Sequence, residues 1–367
     1  MTFLTVAQPP FYASSQVLFL TMVGAGTAAL SVRVLRRRAQ TLVFATVISA
    51  GYAIVLLALT FLEQKTLSDL MTSAMWTTLN AFLSAFVAMG FVTMFEWFTG
   101  ITTDQTLLEW ADPNRPLLRR LSQEAPGTYA HSVNAANLGE SAANAIGAHG
   151  LLVRIGMYYH DAGKVLKPQY FIENQPEGLN PHDSLDPVLS AAIVKEHVTE
   201  GSRLAKESNL PVVIQDFITE HHGTQFISIF YNQAIERNGK EKVIKQDFTY
   251  PGPKPQSKET AIAMMADSIE SATRVLQEPN AKRLKNLVEK IIQNKQEEGQ
   301  LDESPLTLAE ITILKEAFAN SLASIHHQRI EYPTSKHLTK SPQKTVGKEP
   351  IKIKDEEQIE LEDMSQE

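Results

Sequence analysis

The 367-residue sequence contains no cysteine, which excludes disulfides, zinc ribbons and iron–sulfur clusters. Any metal site must therefore use His, Asp and Glu, ligands that suit Mn, Fe or Mg as well as Zn. Basic residues do not predominate, since the net charge is −7, so nothing favours binding of DNA or RNA, which requires a basic patch. What the sequence does contain is 10 histidines and two halves of unlike composition.

Charge is almost absent from residues 1–98. Three apolar runs, at residues 11–32, 39–62 and 70–95, are each long enough for the ~20 residues of a membrane-spanning helix. Three such runs in succession favour membrane spans over buried core helices. The first run lacks a basic segment before it and a clear cleavage site, which disfavours a signal peptide.

The charged loops predict the orientation of these spans. Four arginines lie between the first two runs, at positions 33 and 36–38, whereas the next loop holds only Glu63, Lys65 and Asp69. The positive-inside rule places the arginine loop in the cytoplasm. Two further crossings then return the chain to the cytoplasm after Phe98. We therefore expect a multi-pass protein of the inner or plasma membrane with its soluble half in the cytoplasm.

The soluble half has a helical pattern throughout. Residues 99–127 predict a juxtamembrane linker of one helix and a turn, and residues 128–333 predict an all-α domain with two apolar stripes. The first stripe is His131, Ala135, Leu138, Ala142 and Ala145, and the second is Ile311, Leu314, Phe318, Leu322 and Ile325. Residues 237–258, rich in Gly and Pro, predict an exposed loop. Residues 334–367 predict a disordered tail. The fold class is all-α: transmembrane helices followed by a cytosolic helical bundle.

Histidines and aspartates in this domain form a possible metal-binding set. A single histidine on a helix is more often a satisfied polar residue, so only the whole set and its order indicate a metal site. Seven such ligands are too many for one ion, and they suit two divalent ions ~3.5–4 Å apart. Asp161 is the natural bridge, because it directly follows a ligand and has two oxygens. The set is His131, His160, Asp161, His197, His221, His222 and Asp267.

The strings GTYAHSVNAANL, YYHDAGKVLKPQYFIENQ and EHHGT extend this pattern. Over residues 77–333 the chain resembles the seven-transmembrane-receptor HD phosphodiesterases of the PgpH type, within the HD superfamily. The resemblance implies an all-helical HD domain with a two-metal centre, described with iron or manganese, that hydrolyses cyclic di-AMP to linear pApA. It also implies that those seven residues are the metal ligands and that Lys164 is the lysine of the HD-x-G-K motif.

Two features depart from that family. Ala162 stands where a larger aliphatic residue is common, which alters packing more than chemistry. Family members carry seven spans and a large extracytoplasmic domain, whereas this sequence provides about three spans. A fragment, a product of gene fission or a shortened variant would each account for the difference. The missing spans and extracytoplasmic domain bear on whether the protein senses an external signal, and they do not bear on catalysis.

We expect Asp161 and Lys164 to be catalytic, with Asp161 bridging the metals and Lys164 contacting the scissile phosphate. The alternative for Lys164 is a solvated surface lysine. Arg274 is a second candidate for substrate contact, on a polar helix stripe with Asp267, Glu270 and Ser271 that also fits a solvated amphipathic helix. The remaining histidines are expected to lie in turns, at a helix end or in the tail, away from the metal site: His149, His182, His326, His327 and His337.

Other functions remain open. An HD hydrolase of cyclic di-GMP or of a guanosine polyphosphate is one alternative, although HHGTQF stands where the cyclic di-GMP branch has Gly-Tyr-Pro after its histidine pair. A non-catalytic receptor module that binds a ligand or partner is the other. A homodimer is one expectation for the oligomeric state, which the sequence leaves open.

Overall fold

The computed structural model describes residues 15–32, 41–64, 66–176, 179–276 and 280–327. Within these ranges all regular structure is helical, apart from one isolated β-bridge between Phe226 and Thr249. The predicted all-α fold class is confirmed. The tail predicted at 334–367, which includes His337, and the arginine loop at 33–38 lie outside the described residues.

Three apolar helices open the described chain: α1 (Ser15–Val32), α2 (Thr41–Glu63) and α3 (Leu67–Thr99). Two segments are long and apolar enough to cross a membrane, Thr41–Leu62 with mean hydropathy 2.4 and Leu67–Thr99 with 1.7, whereas the apolar part of α1 is the shorter Phe19–Leu30. Large side chains such as Phe61 and Phe86 are exposed along these helices. Exposed apolar surface of this extent is typical of helices that lipid surrounds.

The end of α3 is tied directly to the soluble domain. Gly100 closes α3 with a φ of 70°, a conformation that glycine adopts without strain. The Glu96 carboxylate accepts hydrogen bonds from the Thr103 backbone N–H (2.9 Å) and the Thr106 hydroxyl (2.9 Å), at the start of the next helix. The last turn of α3 therefore caps the first helix of the soluble domain.

The predicted linker at 99–127 holds two helices, α4 (Asp104–Trp110) and α5 (Pro116–Glu124). Leu107, Leu118 and Leu121 are buried on them, in one cluster with residues of the domain that follows. These two short helices therefore contribute to the core of the soluble domain, which a reading of 99–127 as a linker would not suggest.

The remaining helices form a bundle around a central helix. That helix, α11, is buried along most of its length, from Thr260 to Thr273. Small residues allow close packing around it: Gly139 lies against Val153 and Ala266. The helices are α6 (Pro126–Ala145), α7 (Gly150–Tyr159), α8 (Pro187–Glu207), α9 (Val212–Glu220), α10 (Ser228–Asn238), α11 (Lys258–Arg274), α12 (Ala281–Glu297) and α13 (Leu308–His327).

Both predicted stripes face the core, except at their ends. Four residues of each are buried, whereas Ala145 and Ile325 are exposed near the ends of α6 and α13. The prediction of an exposed loop at 237–258 is wrong for part of that segment. Phe248 is fully buried and Tyr250 is 7% exposed, because the segment folds back and pairs with the backbone after α9. Aromatic burial outweighs the turn signals of Gly and Pro there.

Candidate metal centre

Asp161 lies at the centre of a cluster of imidazoles. Its Oδ2 lies 3.2 Å from Nε2 of His160 and 3.7 Å from Nε2 of His131. Its Oδ1 lies 3.4 Å from Nε2 of His197 and 3.7 Å from Nε2 of His221. The two carboxylate oxygens therefore face different pairs of histidines, as a carboxylate shared by two metal ions would.

The seven predicted ligands are brought together in overlapping groups. His131, His160 and Asp267 form one, with Oδ1 of Asp267 3.0 Å from Nε2 of His131. The second group contains three imidazoles, and the third group shares a histidine with each of the other two and includes Asp161. Within each group the ligand atoms lie within 4.8 Å of one another. The second group is His197, His221 and His222, and the third is His160, Asp161 and His221.

Five segments of the bundle supply these side chains. His131 lies on α6, His197 on α8 and Asp267 on α11, while His160–Asp161 and His221–His222 directly follow α7 and α9. A 3-10 helix, Ala162–Leu166, follows Asp161. Its Gly163 lies against the backbone carbonyl of His197, where a Cβ would overlap the oxygen. The absence of a side chain at Gly163 thus lets Asp161 approach α8.

Hydrogen bonds orient four of the five imidazoles. In each, Nδ1 is held by an oxygen, which leaves Nε2 directed at the carboxylates. The partners are Glu270 Oε2 for His131 (2.5 Å), the Met157 carbonyl for His160 (2.7 Å), the Val194 carbonyl for His197 (2.5 Å) and the Phe217 and Ile218 carbonyls for His221 (2.9 and 3.0 Å).

The two sides of the cluster differ in charge. Burial opposes protonation of His131 and His160, yet neighbouring carboxylates outweigh it. Asp267, Glu270 and Asp161 raise the pKa of His131 to about 9, and Asp161 and Asp267 raise that of His160 to about 10. Burial lowers the pKa of His197 to about 4 and of His221 to about 3. The side with His131 and His160 therefore favours positive charge, and the side with His197 and His221 offers neutral nitrogen lone pairs.

The donor set fits divalent cations. His160 Nε2 and Asp161 Oδ1 are buried and make no hydrogen bond within the described parts of the chain. Leaving a buried polar atom unsatisfied costs ~1–3 kcal/mol, so such atoms call for a partner. Imidazole nitrogens and carboxylate oxygens are the ligands that Mn, Fe and Zn accept in a site without sulfur.

Lys164 is mostly buried rather than solvated, with a side chain 13% exposed. Its ammonium lies 2.8 Å from Oδ2 of Asp161 and 2.9 Å from Oε1 of Glu173. Glu173 also accepts a hydrogen bond from the Thr128 hydroxyl near the start of α6. Burial disfavours charge on both groups, but the carboxylates of Asp161 and Glu173 raise the pKa of Lys164. His160 and Lys164 lower the pKa of Asp161 well below its ordinary value. Lys164 and Asp161 both remain ionised.

Arg274 contacts Glu270 rather than a residue of the ligand set. Its guanidinium lies 3.0 Å from Oε1 of Glu270, the carboxylate that holds His131, and its side chain is 40% exposed. Ser271 is exposed. The polar stripe of α11 is therefore partly a ligand-supporting face and partly solvated.

Two histidines bond away from the centre. Nε2 of His149 lies 3.0 Å from Asp104, and Nε2 of His182 bonds to the Tyr170 carbonyl at 2.9 Å. Tyr250, which the sequence does not single out, also borders the centre, and its ring stacks on that of His222. Its only sequence signal is an aromatic residue inside a polar segment rich in proline.

Comparisons with known proteins match both halves of the chain. The family of the HD domain matches residues 128–272, and the family described as "7TM receptor with intracellular HD hydrolase" matches residues 1–103. The chain is 43% identical over 282 residues to the Bacillus subtilis cyclic-di-AMP phosphodiesterase PgpH, covering 76% of this chain and 39% of that protein. It is 38% identical over 328 residues to the Listeria monocytogenes PgpH, covering 88% and 45%.

A solved structure matches the soluble half. It is the L. monocytogenes PgpH HD domain in complex with cyclic-di-AMP, with a TM-score of 0.56 and 43% identity. The match covers 58% of this chain and 99% of that one. The chain therefore spans a whole solved HD domain, but less than half the length of the two curated relatives.

Proposed function

Because the chain belongs to the family of 7TM receptors with an intracellular HD hydrolase, we propose that it hydrolyses cyclic di-AMP to linear pApA with two divalent metal ions, Mn or Fe. The observation that carries the proposal is the position of Asp161, whose two oxygens face two separate groups of imidazoles. A protein built only to bind a dinucleotide would not need this arrangement.

The residues around the centre fit a phosphodiester reaction. Divalent cations, when bound, would supply positive charge opposite the phosphate and a water of lowered pKa. Asp161 would be shared between the two positions. Lys164 holds Asp161 ionised and adds fixed positive charge beside it, and an ammonium has a third N–H with which to donate to a phosphate oxygen.

Arg274 is the second candidate for substrate contact. Its guanidinium has five N–H donors, of which Glu270 occupies only part. The partial exposure of the Arg274 side chain leaves the remaining donors accessible to a ligand at the edge of the site.

The apolar helices and the family match identify a membrane protein. We propose that it is multi-pass, in the inner or plasma membrane, with the HD domain in the cytoplasm. We also propose that the protein binds two metal ions, Mn or Fe, and that it forms a homodimer.

The test is a hydrolysis assay on the full chain in detergent with manganese, using cyclic di-AMP, cyclic di-GMP and a guanosine polyphosphate in parallel. We expect turnover of cyclic di-AMP to pApA and two metal ions per chain. Turnover of cyclic di-GMP alone would show that the proposed substrate, cyclic di-AMP, is wrong. Two bound metals without turnover of any substrate would favour the ligand-binding module instead.

A further inference from the structure

His222 differs from the other four imidazoles of the cluster. Those four each place Nδ1 against a backbone carbonyl or a carboxylate, whereas the His222 ring makes no hydrogen bond to any residue that the structure describes. The reason lies in the chain. Successive residues at a helix end point ~100° apart, so the carbonyls at the end of α9 that hold His221 are out of reach of His222.

An aromatic ring takes the place of that hydrogen bond. The rings of His222 and Tyr250 lie nearly parallel, with centroids 4.2 Å apart and an interplanar angle of 24°. Tyr250 also meets the His197 ring edge-on, with centroids 6.2 Å apart. The ring of Tyr250 therefore covers one face of His222 and borders a second imidazole of the same group.

The backbone fixes Tyr250 in this position. Its N–H donates to the Gln225 carbonyl at 2.9 Å, and the Ile227 N–H donates to the Phe248 carbonyl at 2.8 Å. These two bonds flank the bridge between Phe226 and Thr249. The segment that carries Tyr250 is thus bound to the segment that directly follows His222, so the two rings are held on a common support.

We propose that Tyr250 is a positioning residue that fixes the plane of the His222 imidazole for metal binding. The proposal rests on the two-metal function above and assigns to it a residue outside the ligand set. The Tyr250 hydroxyl makes no hydrogen bond within the described chain, so the stacked face, and not the hydroxyl, is the part that acts.

The experiment compares Tyr250→Leu, Tyr250→Met and Tyr250→Phe in the full chain, with metal removed and manganese then titrated. Removing the ring should lower the affinity of one of the two manganese positions about tenfold or more, as loss of a ligand's supporting partner typically does. Tyr250→Phe should retain the wild-type affinity, because it keeps the stacked face. Raising manganese should restore much of the kcat that Tyr250→Leu loses.

Tyr231→Leu is the matched control. Tyr231 is an aromatic residue that packs against both segments of the bridge near Tyr250, with its ring centroid 4.8 Å from that of Phe226 and 5.6 Å from that of Phe248. This substitution should lower the Tm and leave manganese affinity unchanged. If Tyr231→Leu weakens manganese as much as Tyr250→Leu does, general packing is responsible and the proposal is wrong.

Two further outcomes separate the possibilities. Wild-type manganese affinity in both Tyr250→Leu and Tyr250→Met, with a raised KM, would overturn the proposal and show that the ring contacts substrate. A wild-type chain that binds no manganese in the titration would refute the metal centre itself, which is a separate failure. Tyr250→Met keeps the test open if Tyr250→Leu does not fold, since a flexible Met fills irregular space.

Discussion

Gly163 and the backbone carbonyl oxygen of His197 lie so close together that a methyl group at Gly163 would overlap the oxygen. The contact joins the segment after Asp161 to α8. Gly163→Ala should therefore push these elements apart and move His197 away from Asp161. We expect the free energy of unfolding to fall by about 1–3 kcal/mol and hydrolysis to fall about 100-fold, measured by urea unfolding and by turnover of cyclic di-AMP.

The control for this prediction is Gly90→Ala in α3, where a Cβ would have no neighbour within 4 Å. It should leave turnover near the wild-type value and should not lower the free energy of unfolding, since Ala is the better helix former. Normal turnover in Gly163→Ala would mean that the close approach of the two segments is not needed by the centre.

His160→Ala and Asp161→Ala should abolish turnover, because each removes a donor from the middle of the cluster. Metal analysis should show less than the wild-type content, while the α-helical circular dichroism signal stays largely unchanged. Near-normal turnover in either variant would show that the assigned centre is wrong.

Glu270→Gln should weaken metal binding without removing a ligand. The Glu270 carboxylate holds Nδ1 of His131 at 2.5 Å, and losing such a support typically lowers metal affinity about 10–100-fold. A manganese titration measures the effect. Glu289→Gln, at an exposed position on α12, is the control and should match the wild type; equal affinities in both variants would contradict the role of Glu270.

Lys295→Met should stabilise the protein. Lys295 is 8% exposed, its ammonium group makes no hydrogen bond or ion pair with a described residue, and burial lowers its pKa. Replacing such a group with an apolar side chain of similar length should raise the free energy of unfolding by roughly 0.5–2 kcal/mol, measured by urea unfolding at pH 7.5. Lys290→Met, which is exposed on the same helix, should have no such effect.

The same substitution carries a pH signature. Below the folded pKa of Lys295 the full cost of burying its charge is present. As pH rises toward the unfolded value of 10.5, the unfolded chain binds more protons than the folded one, so the wild type gains stability. The advantage of Lys295→Met should therefore shrink between pH 7.5 and pH 10. A constant advantage would mean that the side chain's shape, and not its charge, is the cause.

The sequence predicts the all-α class and the ligand set because both depend on local signals. Ligand types in an unusual order, such as His160–Asp161 and His221–His222, can be found without knowing distances. The supporting role of Glu270 could also be anticipated, since it lies one helical turn after Asp267 and so shares its face.

Long-range burial is what the sequence does not reveal. Pro253 and Gly239 suggest an exposed loop, yet Phe248 and Tyr250 from that segment are buried against residues distant in sequence. The ion pair between Lys164 and Glu173 is also hidden from the sequence, because Glu173 approaches Lys164 only after a succession of short 3-10 helices folds back. The spacing of residues along the chain does not predict where the chain folds back on itself.

Glu96 has a consequence for how the protein sits in a bilayer. A carboxylate is costly in hydrocarbon, and this one is tied to the first turn of α4, so it sets the C-terminal end of α3 at the cytoplasmic interface of the proposed topology. The 33 residues of α3 measure ~50 Å, against a hydrocarbon thickness of ~30 Å. The surplus length must be absorbed by tilting or must emerge on the opposite side, and it cannot be taken up by sliding toward the HD domain.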